Sequence, residues 1–420
     1  MAAPEPITRT SVLYPTTATI AAVSKAPVMP GGDETIELEL DLPDSEAKPI
    51  EPPETGGRLP AHARAFAAHR TAKGIGLVLI GAITFGLAGA ATAAIRITGN
   101  ITSVDADSIL ADHGIERPAR PTPAPEDPEQ GHPLNILVMG SDYRGGENLQ
   151  LGGGGFEPGA RSDTTMIVHI SADRRRAEIV SIPRDTMVDI PQCPTSGGDL
   201  SPAVGYNRFN AAFAFGEMRG GDVESAALCT LTTVEAITNV RMDGFVVMDF
   251  AGFRNMVDAL GGVDIYVERA IFSPKADDLR LPAGWNHLDG VTALQFARAR
   301  IGQGLGDGSD LGRIERQQQL MTAIAGEALD SNLLTDTPSL IRFLNAATRS
   351  MTMSANFASI NGLAGLGYSL RHIRPDALEF IMAPIALNPR NPNTLVFTED
   401  AERLWHNMRH GLPLTSGDTE

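Results

Sequence analysis

"RSDTTMIVHISADRRRAEIVSIPRDT" (Arg161–Thr186) decides the fold. Two short runs rich in β-branched and apolar residues, 164–171 and 177–182, flank the charged turn ADRRR. Runs of that length bounded by turn residues predict two strands joined by a turn. Upstream, "LNILVMG" (134–140) is an apolar run stopped by glycine and predicts a buried strand. Downstream, "DGFVVMDF" (243–250) and "VDIYVE" (263–268) predict further strands. Between and after them the period changes. "NRFNAAFAFGEM" and "DVESAALCTLTTVEAITNV" carry helical spacing, "AGFRNMVDALGG" predicts a helix with a glycine stop, and Asp289 is placed to cap "GVTALQFARAR". A long helix is expected over 311–330, more helices over 336–371, a last strand over 377–384 and a last helix in "EDAERLWHNMRHG". Interspersed strands and helices with few tight hairpins imply one mixed α/β domain over 133–413, with 414–420 as a tail.

The N-terminal third has a different texture. Residues 1–73 are rich in Pro, Ala, Thr and acid, with few large apolar side chains, so they are expected to be a disordered tail. Gly74–Ile95 holds 22 residues without a charge, close to the ~20 that a helix needs to cross a bilayer core. Arg58, Arg64, Arg70 and Lys73 precede it, whereas Asp105, Asp107 and Asp112 follow. That asymmetry predicts a transmembrane helix over 74–96, with the N-terminus in the cytoplasm and the bulk of the chain outside the cell membrane. Residues 97–132, ending in "RPARPTPAPEDPEQ", are expected to be a Pro-rich extracellular stalk.

A net charge of −17 argues against non-specific nucleic-acid binding. Lysine occurs only at 25, 48, 73 and 275, so arginine carries nearly all positive charge. The two cysteines, Cys193 and Cys229, have no metal-type spacing and are open to two readings, buried thiols or a disulfide, the second favoured by an extracellular location. The chain has no G-x-x-x-x-G-K-[ST] and no G-x-S-x-G, and "GQGLGDG" fails the dinucleotide pattern.

Three constellations carry candidate chemistry. Asp142 follows one predicted strand and Asp163 precedes the next, separated by a glycine-rich loop. Two such carboxylates can share one Mg²⁺ completed by water and phosphate, or they are ordinary turn residues. Arg184 follows the strand 177–182 and either faces the ligand crevice or pairs with Asp185 or Asp189. Arg298, Arg300, Arg313 and Arg316 gather in "QFARARIGQGLGDGSDLGRIERQ" (295–317). Arg313 and Gln317 share a helix face, while Arg298 and Arg300 share a face only in extended chain. The cluster is either a solvated face or a set of planar forks for a polyanion. The phenylalanines at 209, 213 and 215 read as core from spacing alone.

In chain order, "LNILVMGSDYR", "RSDTTMIVHIS", "AEIVSIPRDTMVDIP", "YNRFNAAFAFG", "DGFVVMDFAGFRNMVDALGGVDIYV", "HLDGVTALQFARAR" and "DLGRIERQQQ" resemble the LytR-CpsA-Psr family of bacterial envelope proteins, over most of 134–330. The resemblance implies an α/β domain with a lipid groove between sheet and helices, with some apolar residues of 207–235 in a lipid role. It implies a phosphotransferase that moves a glycopolymer from a polyprenyl-pyrophosphate carrier to a muramic-acid hydroxyl of peptidoglycan. Asp142 and Asp163 would hold Mg²⁺. Arg161, Arg184, Arg298, Arg300 and Arg313 would contact the pyrophosphate, with Gln317 supporting them and Arg144 as a further candidate. Arg316 is assigned a structural or rim position, and the glycines after Arg300 a flexible loop. The cysteine pair resembles a disulfide of actinobacterial members, for which arabinogalactan or another secondary wall polymer would be the cargo. A polyprenyl-pyrophosphate hydrolase and a non-catalytic envelope sensor or scaffold are the alternatives.

Overall fold

The computed structural model describes residues 99–120, 131–143, 148–151, 160–305, 310–330, 342–346, 348, 351–358, 373–374 and 377–415. The tail expected over 1–73, the span expected over 74–96 and Arg144 lie outside the described residues. Among the described residues no helix is long and apolar enough to cross a membrane.

Seven strands form the central mixed sheet: β1 (Thr102–Val104), β2 (Leu134–Ser141), β3 (Ser162–Ile170), β4 (Ala177–Ile182), β7 (Gly244–Met248), β12 (Met351–Ser354) and β13 (Leu378–Met382). Their order is β1-β12-β7-β2-β3-β4-β13. The antiparallel β2-β3-β4 meander at its centre is the one expected from Arg161–Thr186 and its upstream neighbour. Among the described residues there are also four two-stranded ribbons: β5 (Met187–Ile190) with β6 (Gly205–Arg208), β8 (Val263–Val267) with β11 (Gly284–Leu288), β9 (Ile271–Ser273) with β10 (Leu279–Leu281), and β14 (Ile385–Leu387) with β15 (Leu395–Phe397).

Register divides the central sheet into two faces. Leu137 stands opposite Ile167 and Phe245, and Ile167 opposite Val180, so these four share one face. All four are buried in a core with the helices Ala211–Gly220, Val223–Thr238 and Glu399–His410. The helix Val223–Thr238 is buried on most of its surface despite its threonines. Thr230, Thr232, Thr233 and Thr238 each donate to the carbonyl four residues back, so no hydroxyl is left without an acceptor. Gly216 lets the preceding helix lie against it; a Cβ there would stand 2.4 Å from the Ser225 carbonyl oxygen. Cys193 is bonded to Cys229, tying the loop after β5 to this helix with a Cα separation of 4.7 Å.

Several expectations are corrected. The stalk does not begin at 97: β1 pairs in parallel with β12, and the helix Ala106–Asp112 buries Leu110 completely. Arg117 then pairs with Glu235 at 2.5 Å, both side chains nearly buried, and also with Asp107. Short strands such as β1 and β12 exist because of distant partners, and no local pattern announces them. For the same reason the expected run of helices over 336–371 is interrupted by β12. The strand expected as the last is followed by β14 and β15. Residues 205–208 pair with β5 instead of opening the helix that starts at Ala211. Leu414, expected to open the tail, is instead buried, and its N–H donates to Glu178 Oε1 at 2.7 Å; 416–420 lie outside the described residues.

Leu110→Ala should lower the unfolding free energy by about 2–5 kcal/mol in denaturant titration, as for a filled core position. A residue of a solvated stalk would change it by about 0.5 kcal/mol or less.

Candidate active site

The other face of the sheet is the floor of a groove. Val138 stands opposite Met166 and Val246, and Gly140 opposite Thr164 and Met248. Among the described residues three helices cover this floor: α1 (Phe250–Leu260), α2 (Gly290–Arg298) and α3 (Asp310–Asp330). Asp249 caps the first, accepting from the Gly252 N–H at 2.7 Å, and Asp289 caps the second as expected, accepting from Thr292 at 2.8 Å. Gly290 lets α2 start against α1, since a Cβ there would lie 2.2 Å from the Arg254 carbonyl oxygen. Phe250, Phe253 and Met256 from α1, Leu294 from α2, and Leu320, Met321 and Ile324 from α3 wall a cavity of ≈ 500 Å³.

Charge is confined to one end of that groove, where Asp142, Asp163, Asp249, Arg298, Arg300, Arg313 and Gln317 line it. A bulge between Gly140 and Ser141 turns the end of β2. Asp142 is held there by paired bonds to the backbone of Arg161: its N–H donates to the Arg161 carbonyl at 3.0 Å, and its carboxylate accepts from the Arg161 N–H. Asp163, at the start of β3, receives Arg184 Nη1 at 2.6 Å on one oxygen and lies 3.5 Å from Arg313 Nη1 on the other. Arg313 Nη2 also donates to the Asp163 carbonyl at 3.1 Å. Burial pushes the Asp163 carboxyl up, but the charges of Arg184, Arg313 and Arg300 and the Arg184 hydrogen bond outweigh it and hold the group below its ordinary range.

The helix α2 ends at Arg298, and Ala299 leaves it in extended conformation (φ −61°, ψ 125°). That break resolves the spacing problem: residues two apart diverge on a helix, whereas here Arg298 and Arg300 both reach the groove. Arg298 donates to the Leu151 carbonyl, lies 3.8 Å from Asp277 Oδ2 and stacks 4.9 Å from the centre of the Phe250 ring. Gln317 Nε2 donates to the Ala297 carbonyl at 3.2 Å, coupling α3 to the end of α2. Arg316 is structural, as expected: it donates to the carbonyls of Ala299 (2.7 Å) and Leu305 (3.3 Å).

Not every expected residue arrives. Arg161 is exposed and engages Asp142 through its backbone. Arg184 is not among the residues that line the cavity; it meets the mouth through Asp163, and its Nε lies 3.6 Å from Asp185, so the Arg184–Asp185 pairing expected as the alternative is also formed, largely buried. The apolar residues of 207–235 are not in the groove. Phe209 and Phe213 are buried on the opposite face of the sheet, as spacing alone suggested. The groove walls come from 246–256 and 294–324, and their signal was a single stripe. Arg313, Gln317, Leu320, Met321 and Ile324 fall on one face of α3, which changes from charged to apolar along its length. The glycines after Arg300 are partly pinned: Gln303 bridges to Phe272 in β9, and a Cβ at Gly302 would stand 2.2 Å from the Phe272 carbonyl oxygen. Residues 306–309 lie outside the described residues.

Among the described residues no group of three or more His, Cys, Asp or Glu is arranged to hold a metal ion. Asp142 and Asp163 both line the mouth, and Mg²⁺ needs only one or two protein carboxylates when phosphate and water complete its shell. Counted as charges, three aspartates and three arginines line the mouth. A cation shared by two of those carboxylates would leave the arginines available to a phosphate.

The sequence profile of the LytR_cpsA_psr family matches residues 100–410. A relative from Corynebacterium glutamicum, "Probable cell wall biosynthesis protein LcpB", is 33% identical over 204 residues, 48% of this chain and 43% of that protein. A Bacillus cereus relative, "Polyisoprenyl-teichoic acid–peptidoglycan teichoic acid transferase TagU", is 32% identical over 206 residues, 49% of this chain and 56% of its own. The chain thus spans about half the length of the curated relatives it matches. Among solved structures, the "LytR-Csp2A-Psr enzyme from Actinomyces oris" has the same fold with a TM-score of 0.50 at 19% identity, covering 75% of this chain and 97% of that one. B. subtilis TagV has a TM-score of 0.50 at 23% identity, covering 68% and 98%. With a profile that spans the sheet, the groove and the arginines at its mouth, the chain belongs to the LytR_cpsA_psr family.

Proposed function

We propose that this protein is a phosphotransferase that attaches a glycopolymer, carried on a polyprenyl pyrophosphate, to a muramic-acid hydroxyl of peptidoglycan outside the cell membrane. The observation that carries this reading is the division of one groove into an apolar length and a mouth of arginines and aspartates. That division suits an amphiphile with an anionic head: the prenyl chain would lie over Val138, Met166 and Val246, and the pyrophosphate would meet Arg298, Arg300 and Arg313. The names of the corynebacterial and bacillar relatives, a cell-wall biosynthesis protein and a teichoic acid transferase, support the same assignment.

In the proposed reaction the acceptor hydroxyl oxygen forms a bond to the sugar-linked phosphorus, the P–O bond to the second phosphate breaks, and polyprenyl phosphate leaves, taking up the hydroxyl proton on its freed oxygen or passing it to solvent. Catalysis of this kind rests on positioning and on stabilising developing charge. Arg300 and Arg313 supply planar donors to the phosphate oxygens, and Arg298 is oriented by the Leu151 carbonyl and the Phe250 ring. Asp142 and Asp163 would hold Mg²⁺, which when bound supplies charge neutralisation to the pyrophosphate. Asp163, held ionised between arginines, is a weak base; besides its place in the proposed cation site it organises Arg184 and Arg313.

The test incubates the full-length chain and Mg²⁺ with a glycosylated polyprenyl pyrophosphate, with and without a peptidoglycan fragment. Acceptor-dependent product is expected. Phosphate release independent of acceptor would identify a hydrolase instead, and lipid binding with no product a sensor.

Arg298→Ala and Arg300→Ala should each lower transfer by about 10²-fold or more with an unchanged circular dichroism spectrum; wild-type rates in either would overturn the assignment. Asp163 also gives a pH signature. Its carboxyl is depressed in the folded state, so its contribution to stability is complete above the ordinary carboxylate range, about pH 4, and is lost as pH falls through the depressed value. The stability gap between wild type and Asp163→Asn, measured by urea unfolding, should therefore be widest at neutral pH and close on acidification.

A further inference from the structure

The outer face of the β8–β11 ribbon carries chemistry that the groove does not use. Along β8 burial alternates, so Val263, Ile265 and Val267 face α3 and the core while Asp264 and Tyr266 face outward. In register, Tyr266 stands opposite Trp285 and Asp264 opposite His287. Trp285 is 74% exposed and Tyr266 50%, their ring centres 5.6 Å apart and edge to face. Neither ring is needed to fill the core. Aromatic rings left in water side by side cost hydration free energy, and rimmed by polar groups they mark a binding surface. The next pair supplies that rim: His287 Nδ1 lies 2.7 Å from Asp264, and Nε2 lies 3.0 Å from the Gly261 carbonyl, so the imidazole is fixed in place.

The ribbon also borders a cleft of ≈ 450 Å³, lined by Tyr266, Glu268, Arg269, Phe296, Arg316 and Gln319 among others. Gln319 Nε2 donates to the Tyr266 carbonyl at 2.6 Å, which fixes α3 to the ribbon. Arg316 is the link to the groove. It lines this cleft and is bonded to the Ala299 carbonyl, while the residues on either side of Ala299, Arg298 and Arg300, line the groove. Cleft and groove therefore lie on two sides of one short segment of chain.

We infer that the Tyr266–Trp285 face and the adjoining cleft are the acceptor subsite and seat the glycan strand of peptidoglycan. This rests on the transferase reading above. The chemistry selects a sugar: pyranose rings present C–H faces to aromatic rings, and their hydroxyls and acetamido groups pair with carboxylate, imidazole, amide and guanidinium groups, all of which border this face. The place favours the acceptor over the donor, because the cleft lies outside the groove, across the segment 299–305 that Arg316 clamps beside the arginine mouth.

The protein has two tryptophans, and Trp405 is buried, so Trp285 is the exposed reporter. Full-length chain is titrated with lysozyme-solubilised peptidoglycan glycan fragments, with the free secondary wall polymer, and with phosphatidylglycerol vesicles, following tryptophan emission and its quenching by iodide. Saturable protection by the peptidoglycan fragments alone is expected. Protection by vesicles or by the free polymer in their place, or no response, overturns the assignment. In the transfer assay, Trp285→Ala and Tyr266→Ala should raise the acceptor KM about tenfold or more and leave the donor KM unchanged. An unchanged acceptor KM in both variants overturns it too. The fluorescence titration needs no turnover, so glycan binding without transfer would break the transferase reading alone, and transfer without glycan protection the subsite alone.

Discussion

The arrangement depends on a guanidinium buried against the start of a strand. Arg313 is 4% exposed, and an arginine stays charged at any physiological pH, so its burial requires both counter-charge and acceptors. Asp163 supplies both, a carboxylate oxygen and its own carbonyl. Removing either partner would leave the other charge in a poorly solvated place, which is far costlier than losing a surface pair. This contact fixes α3 in rotation and along its axis relative to β3. With Arg313 fixed, Gln317 falls beside the end of α2, and Leu320, Met321 and Ile324 fall over the sheet. One ion pair thus places the charged mouth and the apolar length in line.

The same helix serves its other side through Arg316, only three residues on. Its bonds to the carbonyls of Ala299 and Leu305 clamp the chain that leaves α2, and the bridge between Gln303 and Phe272 holds that chain from the opposite direction. Arg298 and Arg300 thereby sit on a segment fixed at both ends. A loop free to move would have to be ordered by each ligand at an entropic cost; a fixed one has met that cost in folding.

Legibility in the sequence followed the range of the forces involved. The central strands β2, β3 and β4 were readable because burial imposes a pattern on consecutive residues, and the caps Asp289 and Gly261 because a helix end has local chemistry. The edge strand β1 and the inserted β12 were not, since each is a few residues long and is made by partners far away in the chain. At the site, Arg298, Arg300, Arg313, Gln317, Asp142 and Asp163 were named from the sequence and converge on one mouth. The misplaced lipid wall has a plain cause. An apolar helix looks the same from sequence whether it covers one face of a sheet or the other, and only register separates Leu137, which faces Phe213 and its neighbours, from Val138, which faces the groove.

Charge compensation explains why the site can be assembled before any ligand arrives. Like-charged arginines repel when brought together in a poorly solvated pocket, by an amount that grows as the effective dielectric falls. Asp163 offsets that repulsion by standing among Arg184, Arg300 and Arg313, which is why its carboxyl is held ionised in spite of burial. On the proposed reading a phosphate would take up donors now turned toward that carboxylate, and a cation on Asp142 and Asp163 would compensate the aspartate charge facing it. Binding would then exchange one set of charge-assisted bonds for another of similar geometry, with little rearrangement of the arginines. On that reading the mouth would discriminate by charge and shape at the head of the ligand, while the groove behind it, lined by methionine, leucine and phenylalanine, would discriminate only by apolar length.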